Sequence, residues 1–372
     1  MIEFSGCGKE NEYLLKKAKK DLVDFLSLVA SSKQLRAETI EKLEKKISDF
    51  GKCPKAISRV VGSATDGLYF SLLSSKLKKG SKIGVTAYSF HASASCVARA
   101  GYIPIFIDID QNGLMDLDNF KKIAKSLDGI IVVQLFGDTV DEKKFLNIFN
   151  KFNIKFIEDA AQRHKYSKNL LNSSLCISSV LSFDPNKIFS GIGSGGAVIS
   201  KNRYVAEKIA SLRYHGNRCE YQGFNSQISE SSAWIIKKKI ENYNSWQKKR
   251  REIAKLYNKT LSEFKEKLRT LVNKNNINDH SLHKYVIVFK SKFDRDYIEK
   301  MLLNDGIKTM VHYRYILPEL PLFKKFQKIS NLPFPVTRHL SEHSLSLPIH
   351  PFIKDKEITK ITSSLLFHLK KI

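Results

Sequence analysis

A chain of 372 residues, 42% of them hydrophobic and 27% charged, is long enough for one large domain plus a smaller one, and its composition excludes a disordered protein. Its 63 Lys+Arg against 37 Asp+Glu leave a formal charge of +26, which favours anionic partners such as nucleic acid, acidic lipid or phosphorylated small molecules. The excess is spread in short runs such as 237–239 and 248–251, without zinc-finger spacing, an RNP motif or a dense basic tail, so a dedicated nucleic-acid binder is not implied.

In chain order, residues 1–21 hold no apolar stretch of signal-peptide type. Residues 10–50 predict two polar helices, the second with Ile40, Leu43 and Ile47 at helical spacing. From Ser58 to Ser200 the pattern alternates, with strand-length apolar runs at 82–87, 103–109, 129–136 and 154–159 and helical stretches such as 66–77 and 140–152 between them. Strands alternating with helices of this length make βαβ units and a largely parallel sheet. Ligands of such sheets sit beyond the carboxyl ends of the strands. After residue 228 a long helical pattern runs through Trp234, Ile240, Tyr243, Trp246, Ile253 and Tyr257 and breaks near 273–279. Strand 284–289, helix 294–305, strand 307–313 and a terminal helix from about Asp355 then predict a smaller α+β unit.

The stretch 191-GIGSGG-196 matches the dinucleotide fingerprint GxGxxG in letters. That fingerprint needs a helix immediately afterwards, because the pyrophosphate rests on the helix N-terminus. Here 197-AVIS-200 reads as a strand, so the dinucleotide reading fails. Just upstream, Lys187 lies in 179-SVLSFDPNKIFS-190, where an apolar strand exits into a tight loop. Desolvation there lowers an amine's pKa and prepares it to form an imine with an aldehyde; a plain surface-loop lysine also accounts for the residue in so Lys-rich a chain. Asp159 ends the strand of 156-FIEDAAQ-162. It is read either as the cap of a following helix or as a carboxylate that pairs with a protonated pyridine nitrogen and keeps the ring electron-withdrawing. The cluster 62-GSATDGLYFSL-72 opens a helix whose N-terminal N–H groups suit a phosphate, with Thr65 or Asp66 equally readable as its cap. Phe90, in 85-VTAYSFHASAS-95, offers a flat face to a planar ring or simply packs in the core.

Taken in order, TDGL, AYSFHAS, IEDAAQ, SFDPNK and GSGGA, followed by RYHG and GFNSQ, resemble the sugar-nucleotide aminotransferases of fold-type I, the DegT/DnrJ group. The similarity runs from the opening IEFSG to 347-LPIHP-351. The resemblance implies an α/β fold: N-terminal helices and a large domain with a mostly parallel seven-stranded sheet over 1–245, and a smaller C-terminal α+β domain over 246–372. It implies pyridoxal 5'-phosphate (PLP) as cofactor, with Lys187 as the Schiff-base lysine and Asp159 as the partner of the pyridine nitrogen. By the same likeness Gln162 lies near the ring hydroxyl, Phe90 stacks on the ring, and Ser182 joins the backbone around Thr65 and Asp66 in a phosphate cradle. Asn225 resembles an asparagine that reaches the phosphate from a neighbouring subunit, which implies a homodimer with shared active sites. His312 and Tyr313 are read as lining the substrate side, a packed or surface His312 remaining open.

The implied reaction moves an amino group from glutamate to the 3-keto or 4-keto group of a nucleotide-linked deoxy-sugar, for glycan or amino-sugar biosynthesis. Two other readings stay open: a PLP enzyme acting on a keto-cyclitol or as a sugar dehydratase, and a basic nucleic-acid-binding or regulatory protein. Dehydratase relatives carry His in place of the lysine, and Lys187 argues against that role. The sequence departs from the family pattern at Asn186, where Thr or Ser is usual, at Ala64 (Gly), Ser194 (an acid), Gln227 (Arg) and Gln134 (His). Five scattered cysteines, Cys7, Cys53, Cys96, Cys176 and Cys219, form no CxxC and imply neither a disulfide framework nor a metal site. With no apolar run near the ~18–20 residues of a membrane span, the expectation is a cytoplasmic protein that binds neither membrane nor nucleic acid.

Overall fold

Seven short runs rich in Val, Ile and Phe form the central sheet of the computed structural model, which describes residues 1–31, 35–216, 222–326 and 333–372. They are β1 (Ile57–Val61), β2 (Lys82–Thr86), β3 (Ile103–Ile107), β4 (Gly129–Val133), β5 (Lys155–Asp159), β6 (Cys176–Ser182) and β7 (Gly196–Ser200), in the spatial order β1-β7-β6-β5-β4-β2-β3. Only β7 runs antiparallel to its neighbours β1 and β6; the pairs β6–β5, β5–β4, β4–β2 and β2–β3 are parallel. Every residue of β4 is buried, as expected of a parallel strand covered by helices on both faces. The expected α/β, mostly parallel seven-stranded sheet is therefore what the chain forms. The carboxyl ends of β4, β5 and β6 open on one edge, carrying Asp159 and Ser182.

Caps read from the sequence start several of the covering helices. Ser63 Oγ accepts the Asp66 N–H at 3.1 Å and begins helix Ala64–Leu73; Asp141 Oδ1 accepts the Lys144 N–H at 2.9 Å and begins helix Glu142–Phe152. At the N-terminus three helices stand where two were expected: Cys7–Lys17, Lys19–Ser31 and Leu35–Gly51. The first is broken from the second at Ala18, where φ is −119°. Leu43 and Ile47 are buried as their spacing required.

Helix Glu230–Leu261, capped by Ser229, joins the sheet to the second unit. Its residues Ala233, Ile236, Ile240 and Tyr243 pack with β1, β6 and β7, while Ile253, Ala254, Tyr257 and Leu261 pack with the C-terminal elements. Those elements are a three-stranded antiparallel sheet, β10-β9-β8, of β8 (Leu268–Thr270), β9 (Tyr285–Phe289) and β10 (Ser344–Leu347), covered by helices Lys292–Asn304 and Asp355–Leu369. The strand expected at 307–313 is absent. That segment makes only single bridges, Ile307 to Ile2 and Met310 to Ser346, because Tyr88 takes up the backbone at its end. The Tyr88 hydroxyl donates to the His312 carbonyl and accepts the Tyr313 N–H at 2.6 Å. Among the described residues no helix is long and apolar enough to cross a membrane.

Strand β7 follows 191-GIGSGG-196 as expected, and Gly196 at its start serves packing. Gly196 pairs with Val61 and Ser182, and a Cβ on it would lie 2.6 Å from the Ala64 backbone nitrogen. The close approach seats the N-terminus of helix Ala64–Leu73 against the sheet. Gly196→Ala is expected to cost about 1–3 kcal/mol of stability by overpacking, read by denaturant titration, and to weaken whatever the helix N-terminus binds.

Candidate active site

Beyond the carboxyl ends of β4, β5 and β6 lies a cavity of about 520 Å³, closed on its far side by His283, Lys284 and Met310–Tyr313. It brings together Thr65, Phe90, Asp159, Gln162, Ser182, Lys187, His312 and Tyr313, residues scattered over 249 positions of the chain. A cavity of this size suits a cofactor and part of a substrate.

Strand alternation aims the two acids of β5 to opposite faces. Asp159, 5% exposed, faces the cavity; Ser93 Oγ donates to its Oδ2 at 2.7 Å and the Ala161 N–H to its Oδ1 at 3.1 Å. Glu158 points the other way and is structural, accepting from Ser179 Oγ, the Ser167 N–H and Gln134 Nε2. Gln134 is thereby explained: it links Glu158 to the Val140 N–H and does not line the cavity. Burial raises the Asp159 carboxyl above the usual carboxylate range, against the pull of Ser93, Ala161 and Lys187. An ionised Asp159 therefore calls for one more cation on its open side, and a protonated ring nitrogen answers that description.

Lys187 emerges from the loop after β6, its N–H bonded to the Asp184 carbonyl at 2.8 Å. Burial lowers its amine below the ordinary lysine value, while Asp159 and Asp184 pull it back. The desolvated loop lysine is thus what forms, and the plain surface lysine is not. Phe90 is 47% exposed, leaving a ring face bare at the cavity instead of packed in the core. Gln162 is held at both ends: its Oε1 accepts the Phe136 N–H at 2.7 Å and its Nε2 donates to the Tyr313 hydroxyl at 3.0 Å. His312 is buried, with Nδ1 3.0 Å from Ser346 Oγ, and burial holds its pKa well below the ordinary histidine value. Ser63, Ala64 and Thr65 at the helix N-terminus, with Ser182 opposite, line one end and offer the hydroxyls and N–H groups that a phosphate takes.

Two expected site residues are not brought to the cavity. The Asp66 carboxylate accepts from Ser226 Oγ at 2.8 Å and lies 3.6 Å from Arg99, and its N–H is used by the Ser63 cap; it bolts the helix to the 223–227 segment. Asn225 is exposed, its Oδ1 accepting from Gln227 Nε2 at 3.1 Å. Lining residues that were not singled out from the sequence include Ser93, His283 and Lys284. Ser93 lay within a quoted motif, but nothing marked it as the donor to Asp159. His283 and Lys284 precede an apolar strand and carried no signal.

The model of the DegT/DnrJ/EryC1/StrS aminotransferase family matches residues 16–366. A pleiotropic regulatory protein of Geobacillus stearothermophilus is 28% identical over 340 residues, 89% of each chain. A dTDP-3-amino-3,6-dideoxy-alpha-D-galactopyranose transaminase of Aneurinibacillus thermoaerophilus is 26% identical, covering 87% of this chain and 88% of its own. The solved structure of S. venezuelae DesV superposes with a TM-score of 0.86 at 20% identity, over 100% of this chain and 99% of that one, and speaks for the fold alone.

Proposed function

We propose, from the premise that the chain belongs to the DegT/DnrJ/EryC1/StrS aminotransferase family and so is a PLP-dependent aminotransferase, that it moves an amino group from glutamate to the 3-keto or 4-keto group of a nucleotide-linked deoxy-sugar. The observation that carries the reading is the desolvated Lys187 amine sharing one cavity with the buried Asp159 carboxylate. The sugar substrate is supported by the transaminase name of the Aneurinibacillus relative, and the nucleotide by the +26 charge, which draws a diphosphate toward the protein.

When bound, PLP supplies an aldehyde carbon for imine formation and a ring that withdraws electrons. Lys187 would be the amine that holds it and would take up and release a proton at its Nζ, a task its lowered basicity suits. Asp159 keeps a proton on the ring nitrogen, itself oriented by Ser93 and Ala161. Phe90 would cover a ring face, Gln162 would meet the ring hydroxyl, and Thr65 with Ser182 would hold the phosphate; Asp66 supports that helix end through Ser226. His312 and Tyr313 form the substrate wall and exclude water. Asn225, exposed and outside its own cavity, is assigned to the partner subunit's site in a homodimer. The division at 245/246 is supported by the change of packing partner along helix Glu230–Leu261, between Tyr243 and Ile253. A cytoplasmic location is supported by the free Cys7, Cys53, Cys96 and Cys176; Cys219 lies outside the described residues.

Incubation with glutamate and a panel of dTDP- and UDP-linked 3-keto- and 4-keto-sugars, scored by mass, tests this reading. Amination of at least one nucleotide sugar with release of 2-oxoglutarate is the expected result. Turnover confined to non-nucleotide ketones would refute the nucleotide assignment.

A further inference from the structure

Among the described residues, those lining the cavity include a second lysine, Lys284, and no arginine. Lys284 stands just before β9, is 7% exposed, and its N–H donates to the Phe136 carbonyl at 3.2 Å. Its Nζ lies 4.6 Å from the Phe4 ring centroid. Both lysines also line a small pocket behind the cavity, of about 30 Å³, with Glu10, Arg250 and His350. Glu10 is already engaged there by Arg250 at 2.9 Å and Lys239 at 3.2 Å. From the loop after β6, Lys187 repels the Lys284 ammonium and Asp184 attracts it; burial is the larger influence and brings its pKa down to about 7. His283 on its own segment and His312 opposite are kept neutral by burial. A buried amine of this kind weakens a fold, and such groups collect at sites that use them.

We propose that Lys284 is the counter-charge for the carboxylate of the amino donor. The inference rests on the reading of the protein as an aminotransferase with an amino-acid donor. An α-amino acid carries its carboxylate carbon two bonds, about 2.5 Å, from the reacting nitrogen. When that nitrogen reaches the place of the Lys187 amine, the carboxylate arrives beside it and needs a cation in a nearly dry site. Lys187, once displaced, serves as the neutral proton carrier, so among the described residues Lys284 is the cation of the cavity wall that is left. The diphosphate of a sugar nucleotide lies several bonds from the reacting carbon, toward the mouth, and makes no such demand here. Capturing a carboxylate favours the ammonium form, so above pH 7 donor binding takes up a proton, and the donor KM rises toward tenfold per pH unit while the acceptor KM does not.

The test uses the holoenzyme with Lys284→Met, similar in volume and uncharged, and Lys284→Arg, which keeps the charge. Calorimetric titration with glutarate in two buffers of different ionisation enthalpy should show proton uptake at pH 8 in the parent protein. Lys284→Met should abolish that uptake and weaken glutarate binding by about 30-fold or more. The donor KM should rise by a similar factor, with the acceptor KM within threefold, and Lys284→Arg should recover most of the binding. Because the buried amine is gone, Lys284→Met should also melt at a higher temperature, which excludes misfolding as the cause. Unchanged glutarate binding in Lys284→Met, or an acceptor KM that rises in place of the donor KM, overturns the proposal. A parent protein that binds glutarate through Lys284 yet aminates no keto-sugar upholds this assignment and sinks the sugar-transfer reading.

Discussion

Lys187→Ala is expected to leave a folded protein whose transamination is reduced on the order of 10⁴-fold, the loss that follows when a positioned proton carrier is removed. The fold should survive because what the loop needs from this residue is its backbone: the N–H bond to the Asp184 carbonyl, which alanine keeps. The chemistry should not survive, since the same amine serves as covalent anchor and as proton carrier. Three measurements check it. The visible absorption of the lysine-bound cofactor should vanish, borohydride should no longer fix cofactor to the peptide containing residue 187, and a small exogenous amine should return part of the rate. In the parent enzyme the acid limb of the pH profile should lie below the ordinary lysine range, because burial favours the neutral amine over the attraction of Asp159 and Asp184. A variant retaining more than a tenth of the parent rate would remove Lys187 from the mechanism.

Asp159→Asn should be the second most damaging change, lowering turnover by about 10²–10³-fold, the scale seen when one preorganised electrostatic partner is lost. The amide is nearly the same size and can still be approached by Ser93 Oγ and the Ala161 N–H, which hold the carboxylate at 2.7 and 3.1 Å. Its NH₂ can donate to a neutral ring nitrogen, so cofactor content should stay near stoichiometric. What disappears is the negative charge that keeps the ring nitrogen protonated, and with it the ring's capacity to withdraw electrons. The cofactor absorbance titrated against pH, beside steady-state rates, separates retention from activation. Ser93→Ala should give a smaller loss, about tenfold, because one neutral donor to a charged group is worth roughly 1.5–3 kcal/mol and the remaining Ala161 N–H keeps the loss at the lower end of that range. Near-normal turnover in Asp159→Asn would mean that ring protonation is maintained by another group.

The proposed catalytic pair was singled out by its motifs' resemblance to a family, and its nearness to strand ends explains why both residues line the cavity. Strand-length runs announce β5 and β6, and the polar residues that end those strands, Asp159 and Ser182, reach the cavity edge by sheet geometry, while strand alternation turns Glu158 away. The same logic excluded the dinucleotide reading of 191–196, since 197–200 is strand. The logic failed where a side chain's direction depends on a distant neighbour. Asp66 looked equivalent to Thr65, yet Ser226, 160 residues away, takes its carboxylate out of the site. The segment 307–313 has the composition of a strand and lost its ladder because the Tyr88 hydroxyl competes for the backbone at His312 and Tyr313.

Lys284 marks the limit most plainly. In sequence it is one of many lysines, placed before a strand where solvent exposure is the ordinary outcome. It is held among neighbours distant in sequence: the Phe4 ring lies 4.6 Å from its Nζ, and the Phe136 carbonyl, in the turn after β4, accepts its N–H. The sequence by itself determined the class of fold and the strand ends, because periodicity and chain direction act over a few residues; Lys187 and Asp159 were singled out by the resemblance of their motifs to a family, the residues alone leaving a surface lysine and a helix cap open. Tertiary structure alone decided which remaining polar groups face the cavity and which charges are desolvated, because burial and the pKa changes it causes depend on neighbours drawn from the whole chain.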